Sequence, residues 1–231
     1  MLAVQQLESG YGESVILRDI SLRVRAGQVV CLLGRNGVGK TTLMKTVMGL
    51  LKVRKGEVRY NGADMTRKAP GLRARAGIGY VPQGREIFPQ LTVYENLLLG
   101  LEASRDGAVQ LPEEAHRRFP VLPAMFGRRG GDLSGGQQQQ LAFARALVSK
   151  PELLLLDEPC EGIQPSIVDD IREVIRSIKG DGRTAILLVE QSLEFVKDVG
   201  DYFYVIDKGG IAWEGEPEAL TEEVVRQYLT V

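Results

Sequence analysis

The sequence predicts an α/β chain: a parallel-sheet core, an N-terminal antiparallel β subdomain and an all-helical insert. Three observations predict it. A glycine-rich loop joins an apolar run, Val29-Val30-Cys31-Leu32-Leu33, to a helix-like stretch ended by Gly49. Further apolar runs, Leu153-Leu154-Leu155-Leu156 and residues 185–189, are separated by a helical pattern at residues 167–178. Residues 2–7 and 15–24 alternate in strand fashion, with Ile20, Leu22 and Val24 on one face. Strands alternating with helices give a doubly wound sheet.

Taken in order, Ser9-Gly10-Tyr11-Gly12-Glu13 reads as a turn carrying an exposed aromatic. Tyr11 is either a hairpin packing residue or a platform for a base. Gly34-Arg35-Asn36-Gly37-Val38-Gly39-Lys40-Thr41-Thr42 fits the phosphate-loop pattern G-x-x-x-x-G-K-[ST]. Glycines let backbone N–H groups approach phosphate closely, and the helix N-terminus adds donors and a positive dipole end. Lys40 is then placed to reach β/γ-phosphates and the Thr41 hydroxyl to sit on Mg²⁺. Residues 56–62 and 78–81 read as short strands, the second ended by Pro82 and leaving Gln83 in a loop.

From about residue 91 to 147 the helical period dominates. Thr92 is the expected N-cap of a helix over 93–101. Pro112 is expected to open a second near Glu113 to Phe119, and a third runs over 137–148. Residues 105–109 read as a flexible connection. Residues 203–206 and 211–214 form a hairpin around Lys208-Gly209-Gly210, and residues 220–229 a closing helix. The implied division is a core with β subdomain at 1–83, a helical subdomain at about 84–147, and a return to the core at 148–231.

Bulk properties bound the function. With 29 basic and 30 acidic residues the net charge is -1, so no basic field draws the chain to nucleic acid. Cys31 and Cys160 make no disulfide framework or metal pattern, which points to a reducing compartment. The N-terminus carries no secretory signal pattern. The apolar runs fall far short of the ~18–20 residues that span a bilayer.

Two further stretches carry chemistry. Asp157 and Glu158 follow the four leucines. A carboxylate at the end of a central strand beside a phosphate loop holds Mg²⁺, and the next polarises a water for attack on the γ-phosphate. Leu133-Ser134-Gly135-Gly136-Gln137 is a capping box whose glycines bare a helix N-terminus. Two phosphate-binding helix ends on one chain make sense if each nucleotide lies between two chains.

With GRNGVGKTT at 34–42, Gln83, LSGGQ at 133–137 and LLLLDEP at 153–159, the sequence resembles the ATP-binding cassette (ABC) family along its whole length. The resemblance implies a single ABC ATPase domain over residues 1–231 with a P-loop NTPase-type sheet. It implies ATP and Mg²⁺ as ligands and a head-to-tail dimer, the LSGGQ of one cassette closing over the ATP of the other. Tyr11 then matches the aromatic that stacks on adenine, and Asp157 the Mg²⁺-coordinating acid. Glu158 matches the general base, and Gln83 the Mg²⁺ and water sensor facing the membrane partner.

Where the family usually carries a switch histidine, this chain has Gln191. Gln191 can donate a hydrogen bond to a γ-phosphate oxygen but carries no proton. Weak hydrolysis, or reliance on a partner cassette with histidine, is therefore expected. His116, the only histidine, lies in the helical insert and is expected to cap or face solvent.

Cys160-Glu161-Gly162-Ile163-Gln164 departs from the common loop. It resembles the subgroup serving branched-chain amino acid and urea uptake, as do residues 80–89 and 187–191. GRNGVGK and the ending Tyr228-Leu229-Thr230-Val231 look most like the urea-type cassette. The resemblance thus implies an ATPase energising import of a small polar solute, urea first and branched-chain amino acids second. The implied partners are a second cassette, transmembrane permease subunits and an extracytoplasmic solute-binding protein. The implied place is the cytoplasmic face of the inner membrane. A soluble ABC ATPase acting on nucleic acid or the ribosome is the reading from another class. The single cassette and balanced charge argue against it. Cys160 has no assigned role.

Overall fold

Continuous apolar runs in this chain become strands that are buried on both faces. The computed structural model describes residues 1–105, 107, 110–111 and 117–229. The strands are β1 (Leu2–Tyr11), β2 (Ser14–Val24), β3 (Val29–Leu33), β4 (Lys55–Tyr60), β5 (Ala63–Asp64), β6 (Ile78–Val81), β7 (Leu153–Asp157), β8 (Ala185–Val189), β9 (Tyr202–Asp207) and β10 (Gly210–Gly215). The described α-helices are α1 (Lys40–Met48), α2 (Pro70–Arg75), α3 (Val93–Leu101), α4 (Gly135–Leu147), α5 (Pro165–Gly180), α6 (Leu193–Val199) and α7 (Glu222–Tyr228).

One sheet has the order β10-β9-β3-β8-β7-β6. Its strands from β9 to β6 are parallel, and β10 pairs antiparallel at the edge. A second sheet, β2-β1-β4-β5, is antiparallel throughout. Strand period decides which core each side chain joins. Val29, Cys31 and Leu33 of β3 point to one core with Leu97 of α3, Phe143 of α4 and Ile175 of α5. Val30 and Leu32 point to the other, with Leu43 and Val47 of α1 and the antiparallel sheet. Because β3, β6, β7 and β8 run parallel, their C-terminal ends share one edge, where ligands of open α/β sheets bind.

The expected turn at 9–13 is shorter than its composition implies. β1 continues to Tyr11 and β2 starts at Ser14, leaving Gly12 and Glu13 as the turn. Gly10 belongs to the ladder: a Cβ there would lie 2.1 Å from the Ser14 carbonyl oxygen. Thr92 caps α3 through a reciprocal bond with Glu95, and Ser134 caps α4 with Gln137. Helices α2 and α6, of six and seven residues, carry too little periodicity to be read from sequence. The helix expected near Glu113 to Phe119 lies mostly outside the described residues, as do His116, most of the 105–109 connection and the last two residues.

One buried cation fixes the far end of α1. Arg73 is 1% exposed, and its guanidinium donates to the carbonyls of Thr46 (3.0 Å), Val47 (2.7 Å), Thr66 (3.2 Å) and Lys68 (2.9 Å). It thereby supplies a donor to the Val47 carbonyl at the C-terminus of α1 and a second one to the Thr46 carbonyl, which the Gly49 N–H also reaches at 3.0 Å. Arg73→Met is expected to lower unfolding stability by about 2 kcal/mol, because those buried acceptors lose their donors. Urea denaturation of the purified chain measures it.

Candidate active site

Residues 34–39 turn back from β3 into α1 in a path that needs glycine. Gly34 and Gly39 have φ of 148° and 114°. A Cβ would lie 2.5 Å from the Ile206 carbonyl oxygen at Gly34, and 2.7 Å from the Leu17 side chain at Gly39. No side chain caps the start of α1, so nothing there competes with a ligand for its backbone donors. Val38 packs against the core while Arg35, Asn36 and Gly37 are exposed. Lys40 is 4% exposed, and its ammonium donates to the Gly34 and Arg35 carbonyls at 2.7 and 2.9 Å. Burial lowers its pKa, so the charge is incompletely solvated and gains from an incoming anion.

Asp157 is the last residue of β7 and has no exposed surface. It accepts hydrogen bonds from the Thr41 hydroxyl at 3.2 Å and the Tyr80 hydroxyl at 3.4 Å. Burial pushes its carboxyl up to about 6 from 3.8. Glu158 turns the chain at φ 49°, its N–H donating to the Val189 carbonyl at 2.9 Å. One carboxylate oxygen lies 3.9 Å from the Lys40 ammonium. The other accepts from the Gln191 amide at 2.8 Å.

Lys40, Thr41, Glu158 and Gln191 line one cleft of about 350 Å³, which also takes in Asn36, Gly37, Gly39 and Thr42, and Asp157 lies behind it against the Thr41 hydroxyl. Tyr11, 47% exposed, stands at its wall. Gln83 is also on the lining, and its amide donates to Glu161 at 2.9 Å. Thus residues from the ends of β1, β3, β6, β7 and β8 meet. Ser134, Gly135, Gly136 and Gln137 do not line this cleft. They form the start of α4, where the exposed Ser134 accepts from the Gln137 N–H at 3.3 Å. Gly136 is required by packing, since a Cβ would lie 2.8 Å from Ile167.

Sequence reasoning missed Tyr80, Glu161 and Glu190. Glu190 follows β8 just as Glu158 follows the leucines of β7, and that position was the available signal. Cys160 beside it is inert: burial first, then the Glu190 charge, raises its thiol pKa.

Thr41 and Asp157 offer two hard oxygens to a cation. Among the described residues no group of three or more His, Cys, Asp or Glu forms a metal cage. The donor set therefore fits Mg²⁺ arriving with phosphate oxygens and water, rather than a resident metal held by protein alone.

A sequence model described as ABC transporter matches residues 17–161. The chain belongs to the ABC transporter family. It is similar to the high-affinity branched-chain amino acid transport ATP-binding protein BraG of Pseudomonas aeruginosa, 38% identical over 222 residues, covering 95% of the chain and 94% of BraG. It is also similar to the lipopolysaccharide export system ATP-binding protein LptB of Haemophilus influenzae, 35% identical over 237 residues, covering 99% and 97%. An ATP-binding cassette solved as a post-hydrolysis dimer with ADP and Pi matches with a TM-score of 0.82 at 25% identity, covering 94% of this chain and 99% of that one. This protein is therefore an ABC ATPase, the ATP-binding subunit of a transporter. Neither relative's name mentions urea, so the urea-type assignment is not carried by them. Among the described residues of this ABC ATPase no helix is long and apolar enough to cross a membrane.

Proposed function

We propose that this ABC ATPase hydrolyses MgATP between two cassettes and so drives import of a small polar solute. The observation that carries the site reading is Glu158, facing the cleft with one oxygen toward Lys40 and the other held by Gln191. In this reading Lys40 exchanges the Gly34 and Arg35 carbonyls for β/γ-phosphate oxygens. The loop residues Gly34, Arg35, Asn36, Gly37, Val38 and Gly39, with Thr42, wrap the phosphates. Tyr11 stacks on the adenine. Glu158 accepts the proton of the attacking water. Gln191 holds Glu158 and reaches the γ-phosphate, and Gln83 senses the nucleotide. Thr41, Asp157 and Gln83 would hold Mg²⁺, which when bound neutralises phosphate charge.

Ser134, Gly135, Gly136 and Gln137 lie outside their own chain's cleft, which supports their closing on the nucleotide of a second, head-to-tail cassette. Residues of about 84–147 move as a helical unit in this reading, carrying that tip. The chain sits peripherally on the cytoplasmic face of the inner membrane. It is held there by permease subunits that an extracytoplasmic solute-binding protein supplies with cargo.

An exposed apolar groove supports the permease partner. It holds about 550 Å³ between the ends of α1 and α2, α3 and α4, with Leu50, Phe88 and Leu99 at 53%, 48% and 42% exposure. Phe88→Asp is expected to abolish co-purification with the permease while leaving the melting temperature unchanged. Retained co-purification would remove the groove from the account.

Urea is the first reading for the cargo, from the likeness at residues 34–40 and 228–231. A branched-chain amino acid is the second, favoured by the likeness to BraG. Uptake of radiolabelled urea and leucine in cells lacking the gene decides between them: the label whose uptake is lost is the cargo. Gln191→His tests the missing proton carrier. It is expected to raise ATPase turnover of the assembled transporter by about tenfold or more. An unchanged rate would show that Gln191 is not limiting.

A further inference from the structure

We propose that Glu190 is a positioning residue for ATP hydrolysis, clamping the loops after β7 and β8 so that Gln191 can hold Glu158. The proposal rests on the reading of Glu158 given above. Glu190 is 5% exposed, and among the described residues its carboxylate makes no ion pair. A buried carboxylate without a cation is costly unless backbone donors satisfy it. Here they come from two different loops. One oxygen accepts from the Cys160 N–H at 3.0 Å, and the other from the Gln191 N–H at 2.7 Å, with the Ser192 N–H farther off at 3.5 Å.

The positions of these donors matter. β7 and β8 are neighbours, with Asp157 opposite Val189, so their loops leave the sheet side by side. The Glu158 N–H makes the first tie, to the Val189 carbonyl. Pro159 has no N–H to offer. The Cys160 N–H is the next donor along the chain, and Glu190 takes it. Glu158 is therefore tied on both sides, while holding φ at 49°, a conformation a non-glycine residue keeps only when its surroundings impose it. The Glu190 bond to the Gln191 N–H fixes the start of the opposite loop. The Gln191 amide then closes the circuit on Glu158 at 2.8 Å. Glu190 is not itself on the cleft lining; it touches the lining residue Gln191 through the backbone and acts through Gln191 on Glu158.

Glu190→Gln keeps the shape but turns one acceptor oxygen into a donor facing an N–H, so one loop is released. The assay is steady-state hydrolysis by the purified full chain, with ADP affinity and melting temperature measured alongside. Glu190→Gln is expected to lower kcat by about tenfold to a hundredfold, the scale of a small misplacement of a reacting group. KM for ATP and the Kd for ADP should stay within about twofold. On a Gln191→Ala background the same substitution should cost less than about threefold, because the contact it acts through is gone.

A parental kcat in Glu190→Gln overturns the proposal. So does an equal loss on both backgrounds, or an ADP affinity that falls with kcat. Should Glu190→Gln not fold, Glu190→Asp keeps both acceptors but withdraws them by one methylene. It should lower kcat at unchanged ADP affinity, and a parental rate there overturns the proposal equally. Glu158→Gln is the control in the same assay. If turnover survives in it, the Glu158 reading fails and Glu190 with it. If turnover is lost there while Glu190→Gln is silent, only the clamp fails.

Discussion

Glu158→Gln should lower kcat for ATP hydrolysis by about 10²–10⁴-fold, the range a positioned general base supplies. The substitution keeps the volume and an oxygen that can accept from the Gln191 amide 2.8 Å away. It removes the carboxylate that, among the described residues, is on the cleft lining and lies 3.9 Å from the Lys40 ammonium. Glu161 is also on that lining, but its carboxylate is engaged by Gln83 at 2.9 Å. ATP affinity should be retained, since the glycine loop and Lys40 are untouched. Binding without cleavage should then accumulate the paired form. Single-turnover hydrolysis and light scattering with MgATP measure the two halves. Turnover near the parental rate would place the base elsewhere. A fall in ATP affinity matching the fall in rate would make Glu158 a binding residue instead.

What could be read from the sequence is what depends on short spans of chain. The phosphate loop needs consecutive residues and glycine conformations, so residues 34–42 declare it. The parallel strands need continuous apolar runs because both faces are covered, and β3, β7 and β8 declare themselves that way. Asp157 and Glu158 follow from their place after such a run. Long-range pairings did not show. Gln83 and Glu161 are 78 residues apart in sequence and meet only because β6 and β7 are neighbours. Glu190 reads as an ordinary charge at a strand end until its two backbone partners are seen. The β1–β2 ladder is interrupted by register shifts, with Gln6 and Asp19 at φ of 46° and 52°, and alternation alone carries no sign of such bulges. Helix α6 has seven residues, fewer than two turns, and its Ser192 cap reads as well as a loop serine.

The buried acid at the end of β7 has a cost that depends on pH, and the sign follows from its environment. Burial, the largest influence, raises the Asp157 carboxyl to about 6 in the folded chain, against 3.8 for the free side chain. The folded state therefore binds this proton more tightly than the unfolded state does. Its favourable contribution is complete below pH 3.8 and is lost as pH rises to about 6. The difference amounts to on the order of 3 kcal/mol for a group with no exposed surface. Asp157→Asn removes the charge, and its amide can still meet the Thr41 and Tyr80 hydroxyls. The nucleotide-free variant is thus expected to be more stable than the parent by up to about 3 kcal/mol at pH 8, with the gap closing toward pH 4. Urea denaturation of both proteins at pH 4, 6 and 8 measures the difference, so that other titrating groups cancel. Mg²⁺ with nucleotide should stabilise the parent more than the variant, because the cation meets the charge that burial leaves uncompensated. A gap that is constant across pH would show that the variant changes packing rather than charge. A gap that widens toward acid would reverse the sign of the argument. An acid kept at this cost in the empty chain is what a site built to receive a cation requires: a strand end less stable alone than its neutral amide, and stabilised once its ligand is bound.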